Sequence, residues 1–126
     1  MRLTYRLAFI VLTLTNLPFV SSADPVVVVA DGRIPGSQQP RVAVDERGSV
    51  YITFGANDDI YFSKSVDNGQ EFSGPTKVGR IEKLSLGMRR GPRIVVSNES
   101  IVISAIGHSS GNLVAWRSDD GGDSWS

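Results

Sequence analysis

The sequence has no cysteine, one histidine in 126 residues, and thirteen basic residues balanced by thirteen acidic ones. Without cysteine there is no disulfide framework, no thiolate metal site and no lipid-bearing cysteine. His108 alone cannot build a histidine-rich metal centre. A net charge of zero lacks the basic excess expected of a nucleic-acid-binding protein. No apolar run reaches the roughly 20 residues of a membrane-spanning helix, so no permanent membrane anchor is expected. No amphipathic helical period occurs outside residues 1–23. Neither a metal nor a cofactor is expected.

What the chain does have begins with a targeting segment. Arg2 and Arg6 form a positive start, Leu7 opens a mostly apolar stretch ending at Val20, and Ser21-Ser22-Ala23 supplies small residues for a signal peptidase. The expectation is a signal peptide over residues 1–23, cleaved before Asp24, and a secreted or periplasmic protein. Loss of Arg2 and Arg6 leaves eleven basic against thirteen acidic residues, a net charge of −2.

The remainder reads as short strands separated by turns. Residues 24–39 form a leading section. In it the β-branched run Val26-Val27-Val28-Val29-Ala30 predicts a buried strand, followed by turn signals at Asp31-Gly32 and Pro35-Gly36. Residues 40–79 form a first unit with strands over 40–44, 50–54, 60–63 and 76–78, and turns at Asp45-Glu46-Arg47-Gly48 and Gly55-Ala56-Asn57-Asp58. Residues 80–126 hold a connector and a second unit. Gly91-Pro92-Arg93-Ile94-Val95-Val96 matches Gln39-Pro40-Arg41-Val42-Ala43-Val44 at an offset of 52, and strands over 101–106 and 113–117 follow.

Each unit contains the same phrase, Ser-x-Asp-x-Gly-x-x-aromatic. It comprises Ser65, Asp67, Gly69 and Phe72 in the first unit and Ser118, Asp120, Gly122 and Trp125 in the second, 53 residues apart. A Ser and an Asp two apart can bond turn amides, a Gly two further on can adopt positive φ, and the aromatic can fold back over the corner. This repeated phrase resembles the Asp box, or bacterial neuraminidase repeat, of the sialidase-like β-propellers. The resemblance covers residues 40–125. It implies an all-β fold of two four-stranded antiparallel blades, the second incomplete, within a six-bladed ring. The remaining blades would come from a longer protein, or from further copies if the reading frame ends at Ser126. Residues 26–30 would join the last blade and close the ring.

The resemblance also implies a site: an arginine triad holding a sugar carboxylate, an Asp acid/base, and a Tyr nucleophile assisted by a Glu. Arginine suits this role because its planar fork pairs a carboxylate through two hydrogen bonds. Arg33, in Arg33-Ile34-Pro35, matches the family's first triad phrase, but takes the triad place only if Gly36 to Gln39 bulges. Counted back from Gly48, that place falls on Gln38. Arg90, before Gly91-Pro92, occupies the equivalent point of the second unit. Asp58 and Asp59 stand where the acid/base Asp is expected, with a turn role as the alternative. Arg41 and Arg93 read as structural, the cluster Arg80, Lys83, Arg89, Arg90 and Arg93 as a solvated face with anion binding as the alternative, and His108 as an exposed turn residue. The Asp-box residues read as structural. A calcium loop at Asp119, Asp120 and Asp123 lacks the required spacing and terminal Glu. Asn98-Glu99-Ser100 fits a glycosylation acceptor.

Two functions follow. One is the N-terminal part of an exported exo-α-sialidase-like glycoside hydrolase, inactive by itself, with a sialic acid or other glycan as ligand. The other is a non-catalytic Asp-box propeller that binds carbohydrate or protein.

Overall fold

The computed structural model describes residues 24–30, 32–97 and 100–126. The expected signal peptide and its cleavage site, and Asn98 and Glu99 of the glycosylation acceptor, fall on or border residues outside that description. The described residues form strands and turns and contain no helix.

Seven strands occur: β1 (Ser37–Val44), β2 (Val50–Ala56), β3 (Asp59–Ser65), β4 (Thr76–Arg80), β5 (Arg93–Ser97), β6 (Ser100–Ile106) and β7 (Leu113–Ser118). They build two antiparallel sheets, ordered β1-β2-β3-β4 and β5-β6-β7. Within each sheet consecutive strands pair, as short connections favour.

The alternation of side chains explains why the two sheets stack. Tyr51, Ile60 and Phe62 on one face of the first sheet meet Ile101, Ile103 and Ala105 on one face of the second, with Ile94, Val96, Trp116 and Trp125 packed around them. Across the gap the sheets come closest at β1 and β5. Toward the outer strands the gap is filled by larger groups. A Cβ at Gly79 of β4 would run into the Trp116 ring, so only glycine admits the indole there.

The connector after β4 is packed by contact rather than by period. Leu84 pairs with Gly107 in an isolated bridge, and Ser85 N–H donates to Ile106 O at 2.9 Å. The side chains of Leu84 and Leu86 lie against Gly55, where a Cβ would come within 3.1 Å of Leu84 and closer still to Leu86.

At the first tight turn, Gly48 N–H donates to Asp45 O, while Asp45 Oδ1 accepts the Arg47 and Ser49 amides. Tyr51 Oη caps the same carboxylate at 3.0 Å, tying the turn to the core strand.

Residues 26–30 depart from expectation. They form no strand; Val26 and Val27 are exposed, Val27 to 71%. A β-branched run supplies propensity, but a strand also needs a partner for its amides and carbonyls. Among the described residues no strand pairs with it. β1 also starts three residues before the expected Pro40. Its pairing with β2 shifts register between Gln38 and Arg41, where Gln39 has φ 57°. That is a β-bulge, within the stretch where the Arg33 assignment required one.

Candidate functional site

The two repeated corners fold alike and share the bonds of their Ser, Asp and Gly. In the first, Ser65 Oγ donates to Asp67 Oδ1 at 2.6 Å and accepts the Gly69 amide at 2.9 Å, and Asp67 Oδ1 accepts the Gln70 and Glu71 amides at 3.0 Å. In the second, Ser118 Oγ donates to Asp120 Oδ1 at 2.7 Å and accepts the Gly122 amide at 2.8 Å. Asp120 Oδ1 then accepts the amides of Asp123 and Ser124 at 3.0 and 2.9 Å. Gly69 and Gly122 adopt φ of 84° and 93°. The Ser65 hydroxyl and the Glu71 and Gln70 amides hold the Asp67 carboxyl below the usual carboxylate range. Asp120 is lowered further, by the Ser124 hydroxyl and amide and then by Ser118. Both carboxylates are therefore committed to their own corners rather than offered to a ligand.

The neighbouring acids also have other occupations. Asp119 is engaged by the Ser100 hydroxyl and the Arg117 guanidinium, which lower its pKa, and Asp123 pairs with Lys64 at 3.0 Å. Asp119, Asp120 and Asp123 thus turn to three different partners. No group of three or more His, Cys, Asp or Glu is gathered for a metal among the described residues.

Asp58 and Asp59, the candidate acid/base pair, face basic side chains of β4 and a backbone amide of the connector. Asp58 Oδ2 pairs with Arg80 at 2.9 Å and Oδ1 accepts the Lys83 amide at 3.0 Å. Asp59 pairs with Lys77 at 2.8 Å and with Arg80 at 3.4 Å. Their visible work is to fasten the connector to the β2–β3 turn.

A cleft of about 410 Å³ opens at one end of the second sheet. Arg89, Arg90, Arg93 and His108 line it together with Ser85, Ser104, Ile106 and Leu113, and its lining includes no Asp or Glu. Arg93 stands at the start of β5, the strand nearest the first sheet, and Leu113 at the start of outer strand β7, so the cleft is cationic inward and apolar outward. Arg93 Nη2 donates to Arg89 O at 2.8 Å, which fixes the connector over β5. The backbone before it is bent sharply: Gly87, Met88, Arg89 and Gly91 all have positive φ, and only the glycines adopt such angles without strain.

Of the expected site residues, Arg90 is in this cleft; Arg33, Asp58 and Asp59 do not line it. Arg33 is exposed in a turn, its amide donating to Ala30 O at 3.1 Å. Arg41, the first-sheet counterpart of Arg93, has its Nε buried with no hydrogen-bond partner among the described residues. Arg89 and Arg93 belong to the basic cluster whose alternative reading is anion binding, and His108 reads from the sequence only as an exposed turn residue. Three arginines within the five residues 89–93 were the available signal; His108 had none, because a fold of the β6–β7 turn brings it there.

No family model, no curated protein and no solved structure matches the chain.

Proposed function

We propose that this chain is the N-terminal part of an exported sialidase-like propeller, catalytically inactive by itself, whose cationic cleft contributes a contact to an acidic sugar. The observation carrying this reading is the convergence of Arg89, Arg90, Arg93 and His108 on one cleft with no carboxylate in its lining. A sugar carboxylate meets there guanidinium groups able to bind it through paired, charge-assisted hydrogen bonds, with Ser85 and Ser104 hydroxyls near for the sugar's own. The twin Ser-x-Asp-x-Gly corners, built on the same bonds, support the propeller part of the reading.

Calorimetric titration with sialyllactose and with lactose tests it. Binding of the sialylated sugar alone, weakened about tenfold or more in Arg90→Ala, is expected, since a hydrogen bond to a charged group contributes about 1.5–3 kcal/mol. Equal binding of both sugars, or of neither, contradicts it.

The second reading, a non-catalytic scaffold, is favoured by the engagement of Asp58 and Asp59 with Arg80 and Lys77, which leaves neither carboxylate turned to the cleft. Release of fluorophore from a sialoside by the protein extended beyond Ser126 distinguishes the readings: turnover supports the hydrolase, binding without turnover the scaffold.

A further inference from the structure

The turn between β6 and β7, residues 107–112, is a wall with a cleft on each side. Gly107, His108 and Gly111 line the cationic cleft, while Ser109, Ser110 and Asn112 line a second cleft of about 360 Å³. The wall is braced at its foot. His108 N–H donates to Lys83 O at 2.7 Å, Gly107 N–H to Asn112 O at 3.2 Å, and Gly111 N–H to Gly107 O at 3.0 Å. A Cβ on Gly107 would crowd the Ser110 hydroxyl and come within 3.1 Å of Ile81, so the turn sits directly on the connector. Successive Cα atoms are about 3.8 Å apart, so His108 and Ser109 separate the two clefts by little more than the width of the chain.

The two clefts differ in chemistry. The first offers guanidinium donors and no carboxylate. The second is lined by Glu82 and Lys83 of the connector together with Asn112, and its apolar lining is Ile81 and Val114. Its other charge, Arg80, is already paired with Asp58 and Asp59. Lys83 and Asn112 bond through their backbone amides, to Asp58 and to Ser110 Oγ, which leaves their side chains for the cleft. A sugar hydroxyl both donates and accepts, so it needs both kinds of partner close together. The Glu82 carboxylate accepts, the Lys83 ammonium donates, and the Asn112 amide does both. Ile81 and Val114 suit the C–H face of a sugar ring. A second acidic sugar would instead bring its carboxylate against Glu82, a like-charge contact that Arg80 is not free to relieve.

We propose that the second cleft is a subsite for a neutral sugar linked to the acidic sugar of the first, so that the ligand is an acidic oligosaccharide held on both sides of the 107–112 turn. This inference rests on the acidic-sugar reading of the first cleft and names what lies next to it. Asn112 and Glu82 are then specificity-determining residues: they set the preference for the linked sugar and leave recognition of the acid to the arginines. The neutral sugar contributes as a tethered group. Its own hydrogen bonds are too weak to hold lactose, but they add affinity once the acid is anchored and the second contact has become intramolecular.

Calorimetric titration of the chain with N-acetylneuraminic acid, with sialyllactose and with the disaccharide of two N-acetylneuraminic acids tests it. Sialyllactose is expected to bind about tenfold tighter than the monosaccharide, the effect of about two ordinary hydrogen bonds. The doubly acidic disaccharide is expected to bind about as tightly as the monosaccharide. Asn112→Ala and Glu82→Ala, both at exposed positions, are each expected to remove most of the gain. Both variants should bind the monosaccharide as the parent does, which also shows that they fold. Equal binding of monosaccharide and sialyllactose, a gain that survives both substitutions, or a doubly acidic disaccharide bound as tightly as sialyllactose overturns the second subsite and leaves the reading of the first cleft standing. Binding of none of the three overturns both.

Discussion

Phe62 of β3 and Trp125 of the second corner meet edge to face, their ring centroids 5.2 Å apart and their planes at 70°. This contact couples a local turn to the packing of the two sheets, because Trp125 closes the corner that Ser118 and Asp120 build while its ring covers the first sheet's core. Trp125→Ala is expected to cost about 3 kcal/mol of stability, within the range for removing large aromatic rings. Trp125→Phe is expected to cost less than about 1.5 kcal/mol, as Phe72 serves at the same point of the first corner and the unpartnered indole N–H disappears. Urea midpoints measure both; equal losses would contradict the assignment.

The two glycines of that corner separate backbone strain from crowding. Gly121 and Gly122 both have positive φ, but a Cβ on Gly121 meets only Lys64 Nζ, at 3.6 Å, whereas one on Gly122 runs into the Phe62 ring. Gly121→Ala is expected to cost about 1 kcal/mol. Gly122→Ala carries that strain plus a clash with a ring that cannot retreat, and is expected to cost about 3 kcal/mol or more. Thermal melts of the two variants compare them directly.

Acid sensitivity should arise from the same corners. Asp67 and Asp120 have lowered pKa values in the folded chain, from the Ser65 and Ser124 hydroxyls first and turn amides next. A carboxylate depressed on folding contributes stability that is fully present above its unfolded pKa, about 3.9, and is lost as pH falls toward the folded value. Stability set by these groups is therefore expected to be flat from pH 7 to about 5 and to fall below about pH 4. In a doubly substituted Asp67→Asn, Asp120→Asn chain the fall should be shallower, as urea midpoints against pH would show.

Asp58 offers a test of structural against chemical employment. Its two oxygens hold Arg80 and the Lys83 amide, partly exposed to solvent. Asp58→Ala is expected to cost about 1 kcal/mol, the scale of a solvent-screened pair plus one backbone hydrogen bond. Binding of sialyllactose should be unchanged, since Asp58 does not line the cleft. A large loss of binding at unchanged stability would return Asp58 to the site.

The strands were legible because alternation and turn chemistry agree: Asp45 and Gly48, the two Ser-x-Asp-x-Gly corners, and the β-branched runs between them all specify local geometry. Residues 26–30 misled because their propensity is local while a strand's partner is not. The cleft was half legible. Arg90, singled out through its place before Gly91-Pro92, lines the cleft. That His108 lies beside Arg93 was not legible, because what unites them is the register of β5 on β6 and the bend at Met88 and Arg89, set by tertiary packing rather than by any spacing in the chain. Asp58 and Asp59 lay where an acid was sought, but the sequence gives no distance to Arg80 or Lys77.

The most direct measurement is an amide chemical-shift map of the isotope-labelled chain titrated with N-acetylneuraminic acid. The account predicts saturable shifts at residues 89–93 and at His108, absent with the methyl ester of the same sugar and lost in Arg90→Ala. Shifts centred on Arg33 or on the two corners, or none at all, would contradict it.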